Sequence, residues 1–169
     1  NIVIDPGHGG KDNGTCYEGV LEDEINLSIA TKLMNICIED GAVASLTRVN
    51  DYDLSSDIAT NRKREDLKKR VEYINNSGAD YFISFHRNSS PKENQYQGVE
   101  VLVYDKSGIK YEMAQNIVGA LGELGFREIG VQARPGLVVL RKTKMPALLI
   151  ETGFINSDED NQLYDEKQE

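Results

Sequence analysis

The chain has 169 residues with 39% hydrophobic and 28% charged content, enough for one domain, residues 1–169, with a core of its own. A net charge of −9 and a pI near 4.8 speak against nucleic acid as a partner and against electrostatic docking on anionic lipid. No apolar run approaches the length of a membrane span, and two cysteines, Cys16 and Cys37, are too few for a disulfide framework. No signal peptide is visible, and the first residues already carry a strand pattern, so an export or anchoring segment is expected to have been trimmed away.

In chain order, Ile2–Ile4 is an apolar strand that runs into the glycine-rich loop DPGHGGKD. A phosphate loop needs Gly-Lys-Ser/Thr at its end; here Asp12 follows Gly10-Lys11. The dinucleotide pattern GxGxxG is not met either, so the glycines are expected to turn the chain tightly around His8. Glu22 to Asp40 is a helix with Ile29, Leu33 and Ile36 on its apolar side, a Gly41 cap and Cys37 as a buried thiol. Val43–Thr47 is a strand and Asn50 to Asn61 a polar loop. Arg62 to Asn76 is a helix with Leu67, Val71 and Ile74 inward, and Tyr81–Phe85 is a strand. Asn88 to Gln97 is loop. Gly98–Tyr104 alternates as a half-buried strand, and Ile109 to Leu124 is a helix. Gly125 to Gly136 is expected to be loop, Leu137–Leu140 and Ala147–Ile150 short strands, and Ser157 the cap of a last acidic helix. The alternation predicts an α/β domain: a mostly parallel mixed sheet of about six strands with helices on both faces.

The two histidines, His8 and His86, both follow a predicted strand, as does Glu151 after ALLI. With parallel strands all three share the sheet edge where open α/β folds bind ligands. Glu18, Glu22, Asp23 and Glu24 cluster at the start of the first helix. Two histidines, one carboxylate and an open position form the ligand set of a catalytic zinc site, and a further glutamate supplies its base. Each residue also has a plain structural role. Either histidine is at home in a polar turn. Glu22, Asp23 or Glu24 suits a helix N-terminus, and Glu151 has Arg141 or Lys144 as ion-pair partners nearby in sequence.

Taken together, DPGHGG, GVLEDEINLSIA, LTR, ISFHRNS, GVEV and MPALLIETGFINS resemble the zinc-dependent N-acetylmuramoyl-L-alanine amidases, the Amidase 3 family, from Ile2 to about Ser157. The resemblance implies one Zn2+ held by His8, Glu22 and His86, with Glu151 as the catalytic base. It implies hydrolysis of the amide between N-acetylmuramic acid and the L-alanine of the peptidoglycan stem by zinc-activated water. Asn88 and Asp5 are expected to orient ligands. Arg87 stands where the family commonly has a small residue, and is expected to touch substrate or alter specificity. The family usually continues with a last helix at the point where this chain stops, Glu169. Peptidoglycan is the expected partner, an activator or wall-anchoring domain would lie outside these residues, and the expected place of action is the wall side of a bacterial membrane or phage delivery to the wall. A zinc exopeptidase and a non-catalytic wall-binding module are the other readings of the same residues.

Overall fold

In the computed structural model, residues 1–166 are described. The main sheet has six strands in the order β4-β1-β5-β8-β6-β7. These are β1 (Ile2–Pro6), β4 (Ala44–Leu46), β5 (Tyr81–Asn88), β6 (Val99–Val103), β7 (Glu128–Ala133) and β8 (Ala147–Phe154). A two-stranded hairpin, β2 (Cys16–Tyr17) with β3 (Val20–Leu21), stands apart. The helices are α1 (Glu22–Glu39), α2 (Arg62–Asn76), α3 (Gly108–Glu123), α4 (Val138–Lys142) and α5 (Asp158–Glu166). Strands β4, β1, β5 and β8 run parallel; β6 is antiparallel to β8, and β7 is parallel to β6.

Successive side chains of a strand face opposite sides of the sheet, and the core divides accordingly. On one side Ile4, Ile83, Phe85, Val101, Val103, Leu148 and Ile150 pack under α1 and α3. On the other, Val3, Phe82, Leu102, Ala147 and Leu149 meet Val71 and Ile74 of α2 and Val139 and Leu140 of α4. Central strands buried on both sides explain the near-continuous apolar runs IVI, YFISF and ALLI.

The sheet has the expected number of strands, six, but only five of them fall where expected. Leu137–Leu140 is not a strand; Val138–Lys142 is a short helix, because a run of four apolar residues carries no period. The sixth strand is β7, inside the expected loop Gly125–Gly136. It is an edge strand of mixed pattern, with Val131 buried, Ile129 exposed and Gly130 between them. Strands β5 and β8 run past the expected ends and take in His86 and Glu151. The expected buried side of α1 is narrower: Ile36 is 55% exposed and Cys37 is only half-buried. Ser157 caps α5 as expected, accepting from the Asp160 N–H at 3.3 Å. A helix after Glu169 lies outside the described residues.

Candidate active site

The glycine loop is held from behind by two buried arginines. Arg70 of α2 pairs with Asp5 at 2.7 Å and donates to the carbonyls of Pro6 at 2.9 Å and His8 at 2.5 Å. Arg48 donates to the carbonyls of Pro6 at 3.1 Å, Gly7 at 3.2 Å and Asp23 at 2.7 Å. Such fixing is needed because His8 is held at φ 62°, a left-handed conformation costly for a residue with a Cβ. Asp5 also accepts from the hydroxyls of Thr47 at 2.5 Å and Ser84 at 2.7 Å. Burial works against its charge, but Arg70 and these hydrogen bonds prevail and hold its carboxyl below the usual range.

Beyond the loop the chain folds back over the start of α1. The N–H groups of Glu22 and Asp23 donate to the carbonyls of Thr15 at 3.0 Å and Asn13 at 3.3 Å. They thereby satisfy a helix terminus that has no side-chain cap. This closure places Glu22 against both histidines. Glu22 Oε1 lies 3.2 Å from His8 Nε2 and 3.1 Å from His86 Nδ1, and Oε2 accepts from the Thr15 N–H at 2.8 Å. Glu22 is 3% exposed. Burial again opposes ionisation, yet the two imidazoles outweigh it and keep this carboxyl far below its ordinary value. Asp23 and Glu24, the competing acids, are not in the cluster. Of the described residues, only His8, Glu22 and His86 bring three such ligand atoms together, all within 4.8 Å of one another.

The donor set fits zinc. Two imidazole nitrogens and a carboxylate oxygen at about 2.0–2.2 Å from one ion in tetrahedral array stand about 3.3–3.6 Å apart, close to the 3.2 and 3.1 Å between Glu22 and the two rings. His8 Nδ1 faces Asp12 Oδ2 at 3.1 Å, the carboxylate–histidine arrangement that orients a metal-binding ring. Asp12 was not singled out in the sequence; its offset of four residues from His8, across a tight turn, is the available signal.

Glu151 stands beside His86 on the neighbouring strand, paired with it in register. Among the described residues no lysine or arginine forms an ion pair with it, Arg141 and Lys144 included, and Oε2 is buried without a hydrogen bond. Burial pushes its carboxyl up to about 7; attraction from His86 works against this, and Glu22 and Glu100 reinforce it. A carboxyl poised near neutrality beside the cluster is suited to accept and return a proton.

The remaining expected residues behave differently from one another. Asp5 acts through Arg70 on the backbone of His8, not on a ligand ring. The Nδ2 of Asn88 donates to Glu100 at 2.9 Å and touches no ligand side chain. Arg87 departs most from expectation. Its backbone N–H donates to Glu22 Oε1 at 3.2 Å, but its side chain lies on the opposite side of the sheet from His86, as strand alternation requires. The guanidinium donates to the carbonyls of Gly153 and Phe154 and to Asn161, and sits 4.1 Å from the centre of the Tyr164 ring. The side chain therefore ties β5 to α5 and is turned away from the cluster. It lines a cavity of about 840 Å3 between α1 and α3 whose walls include none of His8, Glu22, His86 or Glu151.

Comparison with known proteins bears on the family and the fold. The Amidase_3 family, described as N-acetylmuramoyl-L-alanine amidase, matches residues 2–169. The chain belongs to this amidase family. Among curated relatives of the Amidase_3 chain, the germination-specific N-acetylmuramoyl-L-alanine amidase of Bacillus subtilis is 32% identical over 160 residues, covering 92% of this chain and 67% of that protein. N-acetylmuramoyl-L-alanine amidase LytC of the same species is 34% identical over 162 residues, and the match covers only 30% of its length. An N-acetylmuramoyl-L-alanine amidase of Clostridium difficile 630 superposes with a TM-score of 0.84 at 32% identity, covering 98% of this chain and 86% of that one. The CwlD amidase of Clostridioides difficile, solved in complex with the GerS lipoprotein, gives 0.90 at 30% identity, with 98% and 88% covered.

Proposed function

We propose that this amidase-family chain is a zinc-dependent peptidoglycan hydrolase that cleaves the amide between N-acetylmuramic acid and L-alanine. The observation that carries the reading is the convergence of His8, Glu22 and His86 on one point beside a buried, unpaired Glu151. Glu22 and the two imidazoles would hold the zinc, which would supply a Lewis acid for the amide carbonyl and for a water. Asp12 fixes the His8 ring. Glu151 takes a proton from the attacking water and returns it to the leaving nitrogen of L-alanine. Asp5, Arg70 and Arg48 keep the loop rigid, so that the His8 ring needs no rearrangement to bind the ion.

Action at the cell wall is part of the same reading, supported by relatives that include a sporulation-specific amidase and a phage endolysin. A protein partner is supported by the CwlD amidase solved with GerS. None of the described helices is long and apolar enough to cross a membrane. Mass spectrometry of digested peptidoglycan tests the reading. With zinc, free stem peptides beginning at L-alanine and glycan with intact lactyl groups are expected. Shortened stems still bound to glycan would instead indicate a peptidase.

A further inference from the structure

Strands β5, β8 and β6 place three polar side chains in one row. His86 is paired in register with Glu151, and Glu151 with Glu100. Residues paired across adjacent strands share a face, with Cβ atoms about 4.5–5.5 Å apart. Glu100 thus continues the line that runs from the metal cluster through the proton-transfer group, one strand further out. Like charges directly opposite each other on adjacent strands destabilise a sheet. Among the described residues no lysine or arginine pairs with either one. Glu100 is half-buried, and its Oε1 accepts from Asn88 Nδ2 at 2.9 Å. Asn88 is itself oriented by the Ser89 N–H, which donates to its Oδ1 at 2.9 Å. One oxygen is therefore held in place by protein, while Oε2 has no hydrogen-bond partner among the described residues.

The direction of this line has chemical meaning. The scissile carbonyl belongs at the metal, and the group that protonates the leaving nitrogen stands on the nitrogen's side of the carbonyl carbon. Going from His86 past Glu151 to Glu100 therefore follows the substrate from its carbonyl into the peptide. We propose that Glu100, oriented by Asn88, is a substrate-contacting residue that accepts the first stem-peptide N–H beyond L-alanine and so selects stems that carry it. This rests on the amidase reading and adds a specificity residue to it. A carboxylate acceptor suits a peptide N–H, and a half-exposed one can exchange water for that donor without leaving a buried charge.

The test pairs N-acetylmuramoyl-L-alanyl-D-isoglutamine with its analogue methylated on the nitrogen that follows L-alanine. The parent enzyme and Glu100→Gln, each loaded with zinc, are compared by kcat/KM. In Glu100→Gln the amide oxygen is expected to keep the Asn88 contact and turn its NH2 toward the substrate donor. The parent is expected to prefer the unmethylated substrate by roughly tenfold or more, as for a charge-assisted hydrogen bond, and the variant to lose most of that preference. Glu100→Asp, used if Glu100→Gln disturbs folding, is expected to retain part of it. A preference of the same size in parent and variants, or none in a parent that cleaves, overturns the role of Glu100 and leaves the amidase reading standing. A parent that releases stem peptide neither from these substrates nor from whole peptidoglycan removes the amidase reading, and this proposal with it.

Discussion

At Gly14, an added Cβ would lie 2.5 Å from Glu22 Oε2 and 2.8 Å from His8 Cδ2, and φ is +67°. At Gly7 it would lie 2.3 Å from the His86 ring. These glycines make room for ligands, which answers what a glycine-rich loop does here in place of cradling phosphate. Gly14→Ala is therefore expected to weaken zinc binding by tenfold or more, in the range of lost ligand-orienting contacts. Gly19→Ala, with φ +82° but open space around it, should leave affinity near the parent value. Isothermal titration of both variants separates crowding of the ligands from backbone strain. At the same scale, Glu151→Ala should keep stoichiometric zinc and lose roughly 10²–10⁴-fold in hydrolysis, whereas His86→Ala should lose both. The Glu151 carboxyl, raised from 4.5 to about 7, adds a pH signature to the metal-free protein. Its favourable contribution is whole below about pH 4.5 and is lost as pH rises through 7. Glu151→Gln should therefore be about as stable as the parent at pH 4.5 and more stable than it at pH 8, by about 1–3 kcal/mol. A difference that shrank with rising pH would contradict the assignment.

At the scale of elements, α2 supports the site through a single residue. Arg70→Met leaves Asp5 buried and unpaired and should cost about 3–5 kcal/mol, with weaker zinc binding because the His8 carbonyl loses its donor. The Asp5 carboxyl lies below its ordinary value. Its stabilising contribution is present above about pH 4 and is lost as acid carries the protein through the lowered folded value, so acid melting of the parent should steepen there. Arg87→Ala is expected to lower thermal stability by loosening α5 while zinc content stays near one ion, a split readable by calorimetry and metal analysis. The sequence carried these elements unevenly. Period and caps marked α1, α2, α3 and the buried strands, and strand ends marked His8, His86 and Glu151. Glu22 stood beside two competing acids, Asp23 and Glu24, because the choice depends on how the Asn13 and Thr15 carbonyls close the α1 terminus. Arg70 was hidden inside an otherwise ordinary helical pattern. β7 and α4 were exchanged, one being an irregular edge strand and the other too short to show a period. The side of the sheet taken by Arg87 did follow from alternation with His86, once β5 was known to extend through both.

For the whole molecule, the sheet is the device that gathers distant sequence. Residues 8, 22, 86 and 151 meet because β1, β5 and β8 lie side by side and parallel, bringing their C-terminal ends to one edge. Binding of a metal there couples to global stability. Zinc at a thousandfold excess over its dissociation constant should add about 4 kcal/mol, which for a chain of this size raises Tm by about 8–16 °C. His86→Ala should show little of that shift. Anomalous scattering from crystals grown with one equivalent of zinc bears most directly on the convergence of these side chains. A single peak is predicted at about 2.0–2.2 Å from His8 Nε2, Glu22 Oε1 and His86 Nδ1, on the side of the cluster that faces Glu151. A peak elsewhere, or zinc that leaves these three side chains unliganded, would contradict it.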